Sequence, residues 1–357
     1  MRGQHSMKKN IAVLFGGKSS EYEVSLSSSF ALLSNIDREK YNLYTIGITK
    51  EGIWYLYEGD IEDIRRGTWC ETGKISPIFV SPDNGRKVLL FMRGGTPEEV
   101  KLDAVFPMLH GKFGEDGQIQ GMFAIMGVPV VGCTPASSAF CMDKAATKAI
   151  IRELGDIRQA ESITLREGDD IEACASAAEK KLGYPMFVKP ACAGSSVGIS
   201  KVRTRMELTH AIDIALREDS KVLIEEMIRG SEIEVAVLEE NGSCTVSCPA
   251  EIDVGSSDFY DYETKYVSDA SSYYIPARLS EEKADEVRGY AQRIFRALDC
   301  RGFSRVDFFF TPEGEFVFNE INTIPGFTPI SMYPKLMIHS GISYSELIDR
   351  LISSALR

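Results

Sequence analysis

The chain has 357 residues, 44% of them hydrophobic and 26% charged, and a formal net charge of −12. That length accommodates two or three compact domains, and the composition is that of a folded globular protein rather than a disordered one. The acidic balance contains no basic run, which argues against nucleic acid or anionic membrane as partners but leaves room for a local basic pocket around a small anion.

No stretch reaches the roughly 18 consecutive apolar residues of a membrane span, so a cytoplasmic protein is expected. Residues 1–6 read as a leader ahead of a native Met7. The first strand is expected at 10–15, closed by Gly16 and Gly17, then a helix over 24–33 and a second strand at 44–48. That rhythm predicts a parallel sheet with a functional loop after its first strand. Residues 60–100 read as connections and peripheral strands. An apolar strand at 102–109 then runs into the loop His110-Gly-Lys-Phe-Gly-Glu-Asp-Gly117, and another buried strand is expected at 127–132. The first domain is placed at 7–137.

A middle domain, 138–222, is expected to carry helices at 144–154 and 171–182, then a strand at 186–189, a glycine-rich loop at 191–198 and a strand at 199–202. Strand, loop, strand differs from a P-loop, which opens a helix, and suits a flap folding over phosphates. The third domain, 223–357, has a clear helix after Ser280, an N-cap with Glu281 and Glu282 in the first turn. Val287, Ala291, Ile294, Phe295 and Leu298 form its core stripe. The eight cysteines (Cys70, Cys133, Cys141, Cys174, Cys192, Cys244, Cys248, Cys300) have no paired spacing suited to zinc and read as small buried hydrophobes.

The most informative spacing is a hairpin. Residues 303–310 and 316–322 are β-rich runs around Thr311-Pro-Glu-Gly-Glu315. A hairpin centred between Glu313 and Gly314 places Asp307 opposite Glu320 and Arg305 opposite Asn322. Facing carboxylates repel. A hard cation between them reverses that term, with Asn322 adding an oxygen, as Mg²⁺ is held beside nucleotide phosphates. The same pattern also fits a solvated polar face in which Arg305 neutralises the acids.

With this hairpin in view, the sequence resembles the D-alanine–D-alanine ligase family of the ATP-grasp superfamily. The resemblance is carried by Gly16-Gly-Lys-Ser-Ser-Glu-Tyr-Glu-Val-Ser25, Leu109-His-Gly-Lys-Phe-Gly-Glu-Asp-Gly117, Met142-Asp-Lys144 and Gly194-Ser-Ser-Val-Gly198. It continues through Phe259-Tyr-Asp-Tyr-Glu-Thr-Lys-Tyr266, Gly302-Phe-Ser-Arg-Val-Asp307 and Asn319-Glu-Ile-Asn-Thr-Ile-Pro-Gly-Phe-Thr328. The resemblance implies an α/β (α+β) three-domain ATP-grasp ligase. One D-alanine carboxylate is phosphorylated by ATP, and a second D-alanine amine attacks the acyl phosphate, giving the dipeptide, ADP and phosphate for peptidoglycan synthesis.

It also implies roles. Asp307, Glu320 and Asn322 match the ligands of two Mg²⁺ ions, with Mn²⁺ as a substitute. Arg305 and the amide of Gly326 match the groups that stabilise the transferring phosphoryl group and the tetrahedral oxyanion. Lys144, Lys189 and Ser196 match phosphate contacts. Glu225, Met227, Ile228, Glu232, Phe259, Lys265 and Asn319 match the rest of the ATP site. Glu21 matches the acid that receives the first ammonium, linked through Ser195 to Tyr266, whose reference pKa of about 10 favours orientation over proton abstraction. His110 matches a group near the first carboxylate, and Ser331 and Met332 match the region of the second. A homodimer is implied.

Singly, these residues have plainer readings: exposed lysines, a turn glycine at 326, core packing for Met227 and Ile228, an exposed loop histidine. Retention of Lys265 and Tyr266 disfavours D-lactate as second substrate. Met332, where D-serine users commonly carry Arg, favours D-alanine over D-serine. A silent ATP-binding regulator would have lost a metal ligand or Arg305, and neither is missing. The flap departs from the family in reading Ala-Cys-Ala before Gly194, which predicts an oxidisable Cys192.

Overall fold

A computed structural model of the chain describes residues 7–194, 197–253 and 272–357. Strand β1 (Lys9–Gly16) is hydrophobic and inaccessible from Ile11 to Phe15, the mark of a strand covered on both faces. It pairs in parallel with β2 (Tyr41–Ile48) and with β7 (Ala104–Pro107), and helix α1 (Tyr22–Asn35) crosses between β1 and β2.

Parallel pairing stops at β2. Strands β3 (Trp54–Tyr57), β4 (Ile75–Val80), β5 (Val88–Arg93) and β6 (Thr96–Lys101) continue the sheet as an antiparallel meander. The first sheet is therefore mixed rather than parallel, in the order β6-β5-β4-β3-β2-β1-β7. The strand expected at 127–132 does not form. Val130 makes one parallel bridge to Val105, and Pro129, which has no N–H, leaves no ladder to extend.

The second sheet, β11-β10-β12-β9, is antiparallel and built from β9 (Ser162–Arg166), β10 (Met186–Pro190), β11 (Ser200–Val202) and β12 (Lys221–Glu226). Its apolar face packs Met186, Val188 and Ile224 against Ala178, Leu208 and Ile212 of the helices Ile171–Leu182 and Arg205–Glu218. The third sheet runs β16-β15-β13-β17-β18-β8, with β14 beside β13. Its strands are β8 (Arg158–Gln159), β13 (Ser231–Glu240), β14 (Ser243–Val246), β15 (Ala250–Asp253), β16 (Ser272–Tyr274), β17 (Phe303–Phe310) and β18 (Phe316–Asn322).

One face of the third sheet buries Val235, Val306, Phe308 and Phe318 under the helix Glu281–Ala297, whose cap Ser280 accepts from Lys283 N–H as expected. On the opposite face, Ala236, Leu238 and Phe303 share a core with Phe106 of β7 and with Phe327. That second face also carries the polar groups described next.

Candidate active site

The β17–β18 hairpin pairs Arg305 with Asn322 and Asp307 with Glu320, the register that counting predicts. The turn is not centred where counting placed it. Thr311 N–H bonds Glu315 O at 2.9 Å, which centres the turn on Glu313. Near the turn Phe308 pairs with Phe318 and Phe310 with Phe316. The one-residue offset is absorbed between Phe318 and Glu320, where Asn319 is extra. Two residues then oppose one. Asn319 and Glu320 are both half-buried, while Phe318 and Ile321 on either side are buried in the aromatic core.

Strand β13 adds Glu234 directly opposite Asp307, so three carboxylates cross the sheet in one row: Glu234, Asp307 and Glu320. Arg305 balances two of them. Its Nε and Nη2 donate to the two oxygens of Asp307 at 2.8 and 2.7 Å, and Nε lies 3.2 Å from Glu234. The forked contact fixes the guanidinium plane. Asn322 Nδ2 donates to Asp307 at 3.0 Å; a half-turn of the amide brings its oxygen there instead. Among the described residues no group of three or more His, Cys, Asp or Glu is placed to hold a metal by itself. Two carboxylates and an amide instead suit a hard cation that takes its remaining ligands from a phosphate.

Lys144 begins the helix Lys144–Arg152, and its Nζ lies 3.8 Å from Glu320 and donates to Ala193 O of the flap at 2.8 Å. Lys189, at the end of β10, pairs with Glu225 of β12. The other Glu225 oxygen is 2.8 Å from Lys148, a buried lysine one turn beyond Lys144 that also donates to Ala160 O at 2.9 Å. Burial opposes the Glu225 charge, but Lys189 and Lys148 outweigh it and hold the carboxyl below its usual range. Burial pulls the Lys148 ammonium down against that same partner. Lys148 was missed in the sequence. Its signal was the four-residue spacing from Lys144, which places both on one helix face. Two ammonium groups, that of buried Lys148 and that of half-buried Lys189, thus share one carboxylate.

Met227 and Ile228 are half-buried in the link between β12 and β13, where the chain passes from the second sheet to the third, and Glu232 follows on β13.

Glu21 sits at the N-terminus of α1, buried beneath two loops. Its carboxylate lies so close to Gly111 and Gly194 that a Cβ at either would fall 2.4 Å from Oε2. The β1–α1 loop, the loop after β7 and the flap thus converge on one acid. Gly16 lets the β1–α1 loop leave the strand close against the end of β2. Its φ is +86°, and a side chain there would meet Ile48 O at 2.2 Å. A cavity of about 360 Å³ opens between the two N-terminal loops, lined by Gly17, Lys18, Trp54, Leu109, His110 and Lys112. A larger one, about 530 Å³, lies well away from these groups, between residues 127–135 and the C-terminal helix.

His110 is buried, with Nδ1 2.9 Å from Ile324 O and Nε2 3.0 Å from Ser28 Oγ. A carbonyl only accepts, so Nδ1 carries the proton. Burial pushes the imidazole down to about 4, against a lesser opposite pull from the Ile324 contact. Ser331 precedes the helix Met332–His339; its Oγ accepts from Thr328 N–H at 3.1 Å rather than from the helix and lies under Gly326. Met332 packs partly buried against the core. Ser195, Ser196, Phe259, Lys265 and Tyr266 lie outside the described residues.

Residues 10–133 match the model described as D-ala D-ala ligase N-terminus, and residues 151–353 match D-ala D-ala ligase C-terminus. The chain belongs to the D-alanine–D-alanine ligase family. It is 46% identical over 353 residues to the D-alanine–D-alanine ligase of Caldicellulosiruptor bescii, covering 98% of this chain and 95% of that one. It is 46% identical over 356 residues to that of Clostridium novyi, covering 98% of each. Among solved structures, VanG D-Ala:D-Ser ligase from Enterococcus faecalis superposes with a TM-score of 0.90 at 44% identity, covering 98% of this chain and all of that one. The D-alanine–D-alanine ligase from Coxiella burnetii does so with a TM-score of 0.86 at 35% identity, covering 98% and 94%. The family uses ATP, and its fold is the ATP-grasp.

In this family member the flap cysteine is not the reactive thiol its sequence suggests. Burial, with Asp219 and Asp143 nearby, pushes Cys192 up to about 12, so it stays protonated and a poor nucleophile. No helix among the described residues is long and apolar enough to cross a membrane.

Proposed function

We propose that this chain joins two D-alanines into D-alanyl-D-alanine, converting ATP to ADP and phosphate through an acyl phosphate. The observation that carries the reading is the single polar face on which Asp307, Glu320, Asn322 and Arg305 meet Lys144. It neutralises a phosphoryl group in transit between ATP and a carboxylate.

In this reading Lys144, Lys189 and Ser196 draw the phosphates down under the flap. Glu225, Met227, Ile228, Glu232, Phe259, Lys265 and Asn319 surround the nucleoside. Asp307, Glu320 and Asn322 hold two Mg²⁺ ions, or Mn²⁺ in their place, which when bound offset the charge of the phosphates. Glu21 receives the first ammonium, and Ser195 and Tyr266 link it to the closed flap. Arg305 and the Gly326 N–H stabilise the oxyanion as the second amine attacks the carbonyl. Ser331 and Met332 receive the second carboxylate. The protein works as a cytoplasmic homodimer.

D-Serine as second substrate is the competing reading, favoured by the close superposition on a D-Ala:D-Ser ligase. Met332 speaks against it, since an apolar neighbour gives the added hydroxyl no partner. Discrimination on that basis alone is weak. Phosphate release with ATP, Mg²⁺ and D-alanine alone, then with D-serine or D-lactate added and products identified by mass, separates the readings. Dipeptide from D-alanine alone is expected. Turnover only with D-serine would move the chain to the D-serine users, and silence with all three would sink ligation.

A further inference from the structure

The backbone around Gly326 is held from outside its own domain. Ile324 N–H donates to Glu115 Oε1 at 3.0 Å, and Ile324 O accepts from His110 Nδ1 at 2.9 Å. The second Glu115 oxygen accepts Gly111 N–H at 2.8 Å, which anchors the acid in its own loop. Phe327 N–H donates to Ser28 Oγ at 3.3 Å, and that hydroxyl lies 3.0 Å from His110 Nε2. With Nδ1 protonated, Nε2 accepts, so Ser28 Oγ donates a hydrogen bond to His110 and accepts one from Phe327 N–H. The roles close without a conflict. From the other side Tyr344 OH donates to Phe327 O.

Both backbone groups of Ile324 and of Phe327 are thus engaged, and Pro325 has no N–H. Among the described residues nothing accepts the N–H of Gly326. Ser28 is fully buried, so it touches no substrate. The partners are separated by 214, 209 and 299 positions along the chain, so nothing local to residues 323–328 supplies these bonds.

We propose that Ser28, His110 and Glu115 are positioning residues, a hydrogen-bonded strap from the first domain that sets the Gly326 N–H toward the reacting carbonyl. This rests on the reading of Gly326 as an oxyanion donor. An amide aimed at a developing charge is effective only when its direction is fixed beforehand, and small misplacement of a reacting group costs rate far more than binding. The strap makes that direction a property of how the first domain docks on the third, and it gives His110 a part that needs no contact with substrate.

Ser28→Ala removes one oxygen and no packing. The expected result is a fall in kcat of at least about tenfold, with the affinity for a non-hydrolysable ATP analogue within about twofold of wild type. Ser29→Ala is the control. Its hydroxyl is equally buried but has no hydrogen-bond partner among the described residues, so kcat and ATP affinity should not change. A Ser28→Ala kcat within twofold of wild type, or a matching loss of ATP affinity, overturns the proposal. Should Ser28→Ala not fold, Glu115→Gln, which keeps one acceptor and loses the other, decides on the same criteria. If the wild type makes no dipeptide, the functional reading fails separately. Hydrogen exchange over residues 323–328 then decides the strap: faster exchange in Ser28→Ala than in Ser29→Ala sustains it, and equal exchange overturns it.

Discussion

Acid should loosen this protein through His110. The folded imidazole is pushed down to about 4 by burial, against about 6.5 in an unfolded chain. Between those values the unfolded state binds the extra proton, so stability rises with pH across the window and drains as pH falls through it. The contribution is complete above about pH 6.5 and gone below about pH 4. From the two values, the loss is about 2 kcal/mol at pH 5 and about 3 kcal/mol once both states are protonated. The contacts explain the sign: protonation turns Nε2 into a donor facing Ser28 Oγ, so the serine proton must leave the place it now occupies. Urea unfolding read from Trp54 and Trp69 at about pH 7.5 and pH 5, in wild type and in His110→Gln, measures the effect. Other titrating groups contribute alike to both proteins, so the difference between the two pH losses isolates the histidine. Equal losses to within about 0.5 kcal/mol would refute the buried, neutral imidazole.

Asp307→Asn removes charge from the carboxylate row and leaves Arg305 with Glu234 as its acid partner there; phosphate release should fall at least about 100-fold, and Mg²⁺ titration should show weakened activation. Lys148→Met leaves Glu225 with Lys189 as its remaining lysine, tightening the pair that ATP must open. Calorimetry should show ATP binding weakened about tenfold, and urea unfolding a loss of about 1–3 kcal/mol, below the usual cost of a broken buried pair because one partner stays. Unchanged ATP binding would detach Lys148 from the phosphate site. Gly16→Ala puts a methyl against Ile48 O at positive φ and should cost at least about 2 kcal/mol in denaturant unfolding.

The legible elements were those whose signal is local. Helix Ile171–Leu182 stands where its pattern put it, and Ser280 caps its helix as expected. The hairpin register around Asp307 was legible for a less secure reason. Counting assumed an even strand and a turn between Glu313 and Gly314; the turn is one step shorter, and the extra Asn319 compensates. Parity survived because two departures cancel. The meander over residues 54–101 was legible only as peripheral strands and connections, because β4 is half-exposed and contains Pro77 and β6 is charged, with burial decided by neighbours far along the chain. Glu115 and Ser28 were invisible for the same reason. Nothing in an acid of a glycine-rich loop, or in one serine of Ser27-Ser-Ser29, announces a partner about 200 or 300 residues on; the contacts exist only after docking. Lys148 lay within reach of a simple helical-spacing argument.

The spare residue in β18 also makes the hairpin unequally tolerant of shortening. Asn319 is the one position in that strand whose loss leaves every other residue with its present partner, from Phe316 opposite Phe310 to Asn322 opposite Arg305. Excision of Phe318 would instead slide an amide into the place of a buried ring. The strand length is thus negotiable at a single point, and what is given up there is an amide beside the candidate metal ligands rather than the frame that holds them.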